Sequence, residues 1–296
     1  MKSIKKSTFV SQRIINSFIA ILCVLIIMPF LLLVSISVSN EADIIKNGYS
    51  LIPREFDLSA YKYVFNNPSS IFNAYKVTAA FSVISMILGT MLIAMTAYPL
   101  TRKYLKGRRS ISFYLYFTML FNGGLVPTYI LITQYLHLQD SIWVYIVPGL
   151  ISPWYVFMMR TFFSDIPDAI IESAYIDGAG EIKIFFTIIL SLSKPVFSTV
   201  ALFTILAKWN DWYTSMLYIN QDNLISLQYL LQKIIMNLEL LQNSKFGTAG
   251  IISVKDIPSE TTRMAMAVLV AGPALLVFPF FQKYFVKGLT VGSVKG

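Results

Sequence analysis

Residues 14–40 read IINSFIAILCVLIIMPFLLLVSISVSN, 27 residues without Asp, Glu, Lys or Arg. A helix rises ~1.5 Å per residue and the hydrocarbon core of a bilayer is ~30 Å thick, so ~20 such residues are enough to cross it. Lys2, Lys5, Lys6 and Arg13 precede the run, as in a secretory leader. The run is much longer than the ~7–15 apolar residues of such leaders, and no small-residue cleavage site is evident beyond the segment 35–39. An uncleaved first membrane helix is therefore expected over about 14–38, behind a cytoplasmic N-terminus at 1–13.

Working outward, residues 77–101, 110–139, 141–159 and 264–282 also lack all four charged residue types. A sixth apolar run, 184–207, is interrupted by Lys194 and Pro195. A lysine at the bilayer centre costs about 2.5–3.5 kcal/mol. Sliding the span to 193–213 puts Lys194 at one interface, where it can snorkel. Trp209, Trp212 and Tyr213, beside Lys208 and Asp211, then form an aromatic belt at the other. Residues 184–191 become an apolar segment near the membrane surface. The expected fold is an all-α membrane protein with six transmembrane helices, at about 14–38, 77–101, 111–133, 141–159, 193–213 and 264–282. Composition agrees, with 56% hydrophobic and 13% charged residues and a mean hydropathy of +0.64.

The net charge of +9 fits nucleic acid poorly, because the basic residues sit in short clusters beside apolar spans. With the N-terminus inside, residues 1–13, 102–109, 160–194 and 283–296 hold 15 of the 24 Lys and Arg. Arg102, Lys103, Lys106, Arg108 and Arg109 in one short loop are the strongest signal. The positive-inside rule thus places both termini in the cytoplasm. External loops at 40–76 and 214–263 follow. The first carries one short helix near 57–61, and the second an amphipathic helix over 224–241, where Leu227, Leu230, Leu231, Ile234, Ile235 and Leu238 recur at helical spacing. One cysteine, Cys23, and one histidine, His137, exclude a disulfide framework and a metal-ligand set. His137, beside Gln139 and Asp140, reads as a solvated turn residue.

The cytoplasmic loop 160–192 contains SDIPDAIIESAYIDGAGEIK at 164–183. Pro167 suits a first helical turn, and Asp165 and Asp168 favour its N-terminus. Ile170, Ile171, Ala174 and Tyr175 make one apolar face. Gly178 and Gly180 permit the left-handed backbone that ends a helix, and a second helix is expected from about Glu181. Small residues at the turn would let another protein's backbone approach closely; a plain connecting loop with good caps reads equally well from spacing alone.

These residues resemble a family. Permease subunits of ATP-binding-cassette importers carry a cytoplasmic Glu-Ala-Ala, then three residues, Gly, nine residues and Ile-x-Leu-Pro. Here stand Glu172-Ser173-Ala174, Gly178 and Ile188-Ile189-Leu190-Ser191, with serines in place of the middle alanine and the proline. Asn73 and Thr78, Thr96 to Arg102 (TAYPLTR), Phe121 to Tyr129 (FNGGLVPTY), Pro148, Trp209-Asn-Asp-Trp212 and Gly292 to Gly296 (GSVKG) extend the likeness over nearly the whole chain. It is nearest to the smaller permease of maltose-type carbohydrate importers, and within them to the Gram-positive lipoprotein, polysaccharide and oligosaccharide group.

The resemblance implies a subunit of an ATP-driven, binding-protein-dependent importer in a bacterial cell membrane, and not itself an enzyme. Glu172, Ser173, Ala174, Asp177, Gly178 and Ala179 would dock onto a separate ATPase, and Lys295 and Gly296 would reach between paired ATPase subunits. ATP and magnesium would be bound there, since this chain has no G-x-x-x-x-G-K-[ST] loop. The implied partners are a homologous second permease, two ATPase subunits, an external substrate-binding protein, membrane lipid and a carbohydrate cargo. Tyr98, Tyr116, Asn122 and Tyr129 are candidates for the substrate path. Gly123, Gly124 and Pro127 interrupt the third span, as a kink or as an opened helix lining that path. A permease for another solute stays open. A secondary carrier is disfavoured because no Asp or Glu falls inside a span, and a membrane enzyme because no acid pair or metal-ligand cluster does.

Overall fold

The computed structural model of the chain describes residues 2–66, 68–243 and 260–292. Lys295 and Gly296 lie outside these, as does the segment 244–259. The described residues are helical, with no strand among them beyond one isolated bridge, Ser39 to Phe56. Three helical stretches are long and apolar enough to cross a membrane: Gln12–Ser37, Pro68–Thr101 and Glu260–Gln282. Two bent pairs pass the same test together, Arg108–Leu120 with Leu125–Tyr135 at 114°, and Glu181–Leu192 with Lys194–Trp209 at 82°.

The chain divides into two compact units. The first comprises residues 1–68 and 233–272. Its Lys2–Ser37 helix leaves Ile14, Phe18 and Leu25 exposed at 64, 62 and 58%, as suits a lipid-facing surface. The following loop holds two short helices where one is expected, Glu41–Asn47 and Ser59–Val64. Asn40 creates the extra one: its Oδ1 accepts from the Ala42 and Asp43 amides, satisfying donors that a helix start leaves unpaired. The Glu41 carboxylate in turn accepts from the amides of Glu260 and Thr261 at 3.0 and 2.9 Å, capping the start of the Glu260–Gly292 helix.

The second unit comprises residues 69–232 and 273–296. Its longest element, the Pro68–Ala97 helix, is packed through small residues, Ser82, Ser85 and Gly89 among them. A Cβ at Gly89 would stand 3.1 Å from the Leu150 carbonyl oxygen, so glycine permits this close approach. The third expected span is more than kinked. Gly124 takes φ +88°, the Asn122 side chain accepts its amide, and the chain turns through 114°. Residues 141–159 are likewise not one helix: Trp143–Ile146 and Pro153–Ser164 flank a non-helical stretch. Pro148, a left-handed Gly149 and Pro153 remove the donors and torsions that continuity needs. Ser193 separates the last bent pair, and the later helix begins at Lys194. Leu227–Asn243 forms the expected amphipathic helix.

At one end of this unit Phe81 stacks on Tyr145 with ring centroids 4.2 Å apart, within a cluster that includes Val77, Val144 and Tyr218. Beside it Asp140, at φ +54°, accepts from the amides of Asn220 and Gln221. Asp140 is therefore a loop tie, beside an exposed His137. The Asn220 amide, ahead of the opposing cost of desolvation, holds its carboxyl below the ordinary carboxylate value. A depressed native value means stability that is present above the unfolded value and lost as pH falls through the native one. Asp140→Asn keeps the shape and tolerates the left-handed backbone. It is expected to lower the thermal midpoint of the purified protein at neutral pH, with the gap to wild type closing on acidification; parallel melts across pH would check this.

Candidate functional site

The Asp168–Ile176 helix starts after Pro167, whose fixed φ and missing amide proton suit a helix entry. Asp168 faces the positive end of the helix dipole. Its contact with Lys103, at 3.8 Å, is between exposed groups and contributes little. The far end is closed by two bonds, from the Ala179 amide to the Ala174 carbonyl at 2.9 Å and from the Gly178 amide to the Tyr175 carbonyl at 3.0 Å. This Schellman closure requires a left-handed residue, which Gly178 supplies at φ +75°. Gly180 is extended at φ −75° and contributes no left-handed turn, contrary to expectation.

The helix has two distinct faces. Ile171 and Ala174 are buried in a cluster with Ala97, Tyr98, Phe163, Ile184 and Phe185. That cluster joins the ends of three longer elements, so the short helix sits on a packed footing. Glu172, Ser173 and Asp177 face outward, and Ile176 beside them is 86% exposed. Ile176 thus stands as an open apolar side chain beside the carboxylates of Glu172 and Asp177.

After the turn the chain forms Glu181–Ile184, a π-helical stretch over Phe185–Ile189, and Leu190–Leu192. Glu181 is the site residue that sequence reasoning missed. Its Oε2 accepts from the Tyr98 hydroxyl at 2.5 Å and its Oε1 from the Tyr175 hydroxyl. One carboxylate therefore ties the short helix, the segment after it and the end of the Pro68–Ala97 helix together. The sequence signal was present, as an acid following the glycine turn, but nothing in the spacing pairs it with two tyrosines.

Tyr98, one of the substrate-path candidates, is held within the buried cluster of Ile171 and Ala174. It is 5% exposed, its ring lies 5.4 Å from Phe185, and its hydroxyl is committed to Glu181. The other three candidates lie along the broken helix pair: Tyr116 is exposed, Asn122 caps the break, and Tyr129 stacks on Tyr218 at 5.5 Å. Among the described residues no group of three or more His, Cys, Asp or Glu is placed to hold a metal ion.

The bent apolar helix pairs thus carry a short two-faced helix seated on a buried cluster. Against protein-family models the chain finds no match. It is 35% identical over 287 residues to the polygalacturonan/rhamnogalacturonan transport system permease protein YtcP of Bacillus subtilis, covering 96% of this chain and 98% of that one. It is 36% identical over 270 residues to Protein LplC of the same organism, covering 91% and 90%. Among solved structures it matches a bacterial ABC transporter involved in the import of the acidic polysaccharide alginate, with TM-score 0.79, 27% identity and coverage of 94% and 98%. The chain belongs to the carbohydrate-transport permeases of the ATP-binding-cassette family, multi-pass proteins of the bacterial cell membrane.

Proposed function

We propose that this chain is one of two membrane-spanning subunits of an ATP-driven importer for oligosaccharides or polysaccharide fragments. The observation that carries the reading is the outward face of Glu172, Ser173, Ile176 and Asp177, held on a buried footing of Ile171 and Ala174. This face docks in a cleft of an ATPase subunit, and Ala179 and Gly178 set the turn that presents it. Six spans with both termini in the cytoplasm put the face and the basic loop 102–109 on the ATPase side. The fourth span is then a broken one, through 141–159.

In this arrangement two ATPase subunits bind ATP and magnesium, and their closure moves the docked helices as rigid bodies. Glu181, bonded to Tyr175 and Tyr98, passes that movement to the Pro68–Ala97 helix. The second permease and an external binding protein complete the assembly, with Lys295 and Gly296 reaching between the ATPases. Cargo passes near Tyr116, Asn122 and Tyr129, where the helix pair is opened. YtcP is named for polygalacturonan or rhamnogalacturonan transport and the matched solved transporter is involved in alginate import, which supports a carbohydrate cargo.

Reconstitution tests the reading. The chain, its partner permease, the ATPases and the binding protein are placed in vesicles, and uptake of oligosaccharide is measured with and without ATP inside the ATPase compartment. Uptake is expected only with ATP. Uptake driven by an ion gradient without hydrolysis would overturn the assignment.

A further inference from the structure

The stretch between the Trp143–Ile146 and Pro153–Ser164 helices is non-helical, and a break at membrane depth leaves carbonyls that need donors. A continuous helix would give the Tyr145 and Pro148 carbonyls the amides four residues on, those of Gly149 and Ser152. Gly149, left-handed at φ +75°, leaves that path. Lys208 meets both carbonyls instead: its Nζ donates to that of Tyr145 and, at 3.5 Å, to that of Pro148. Lys208 stands in the last turn of the Lys194–Trp209 helix and is half-buried, its ammonium turned toward the break.

Ionisable side chains in membrane spans are rare, and they pair with one another or with backbone carbonyls where they have a task. Free carbonyls of a discontinuous helix are a natural seat for a cation; here the chain supplies its own. The residue it holds is a junction. The Tyr145 ring stacks on Phe81 at 4.2 Å, and its hydroxyl donates to the Leu224 carbonyl at 2.8 Å. Phe81 belongs to the Pro68–Ala97 helix, about 25 Å along its axis from Tyr98, which Glu181 holds at the other end. We propose that Lys208 is a positioning residue for transport: its ammonium fixes the broken stretch to the Lys194–Trp209 helix. Movement that enters the Pro68–Ala97 helix at Tyr98 then leaves it through Phe81 and Tyr145 and carries both elements together. Without the ammonium, the Tyr145 carbonyl is free of the Lys194–Trp209 helix and the two elements move separately. The inference rests on the ATP-driven uptake proposed above.

Uptake and hydrolysis measured together on the complete reconstituted transporter give the cargo moved per ATP, and that ratio is the test. Lys208→Met keeps the length of the side chain and removes its donors. It is expected to lower the ratio about tenfold, the loss of one charged hydrogen bond, while hydrolysis persists. Lys208→Arg restores a cation with donors and should recover most of the ratio. Lys208→Gln, uncharged and one bond shorter, should fall between Lys208→Met and wild type, and it carries the test if Lys208→Met does not fold. A wild-type ratio in Lys208→Met or Lys208→Gln would overturn the proposal. So would uptake and hydrolysis that fall in step with the thermal midpoint in all three variants, the mark of a purely structural contact. A wild type that shows no ATP-driven uptake would remove the proposed function and this inference with it, whereas a working wild type with unchanged variants sinks this inference alone.

Discussion

Glu172→Lys is expected to reduce ATP-driven uptake by about 30-fold or more while hydrolysis and membrane insertion persist. Glu172 is exposed on a helix whose stability comes from Ile171 and Ala174, so reversing its charge costs the fold little. At a docked interface the same change removes a charged partner and introduces a like charge. Truncation of a buried interfacial ion pair costs about 2–5 kcal/mol, and each 1.4 kcal/mol is about tenfold in binding. Uptake and hydrolysis measured on the same reconstituted vesicles separate uncoupling from simple loss of protein. Wild-type uptake by the variant would show that the ATPase grips elsewhere. Glu172→Gln keeps the shape without the new charge and should fall between the two.

The second large effect concerns Glu181. Glu181→Ala leaves the Tyr98 hydroxyl, inside a buried cluster, without its acceptor, at a cost of about 1–3 kcal/mol. It also frees Tyr175 on the Asp168–Ile176 helix. Both the thermal midpoint and uptake are expected to fall, uptake by about tenfold. Adding Tyr98→Phe removes the orphaned hydroxyl and should restore much of the midpoint. Uptake should stay low, because the link between the Asp168–Ile176 helix and the Pro68–Ala97 helix is still cut. Recovery of both quantities in the double variant would reduce Glu181 to a structural role. The cycle is informative because the two residues touch, and contacting residues are where additivity fails.

The membrane class was legible because it depends on long apolar runs, and lipid imposes that requirement locally on every span. The turn after the Asp168–Ile176 helix was legible for a similar reason: Pro167 and Gly178 act through their own torsions, whatever surrounds them. Gly180 shows the limit of that argument. A glycine is permitted a left-handed backbone but need not adopt it, and here the closure is completed one residue earlier by the Ala179 amide. The breaks at 121–124 and 147–152 show another limit. Glycines and prolines marked both places, but whether a helix bends or stops depends on what receives the freed backbone groups. At the first break the Asn122 side chain takes the Gly124 amide.

Sequence alone determined that this chain is apolar and multi-helical with a short two-faced helix, since hydropathy and capping residues are local properties, and the motif around Glu172 and Gly178 carried the likeness to permeases. Tertiary structure decided which residues act together. Tyr98 and Glu181 are 83 positions apart, and only folding brings hydroxyl and carboxylate to 2.5 Å. Nothing in the spacing of Arg102 tells a solvated loop cation from one buried over a tyrosine ring. That difference comes from burial, and burial is a property of the packed elements and not of the residue.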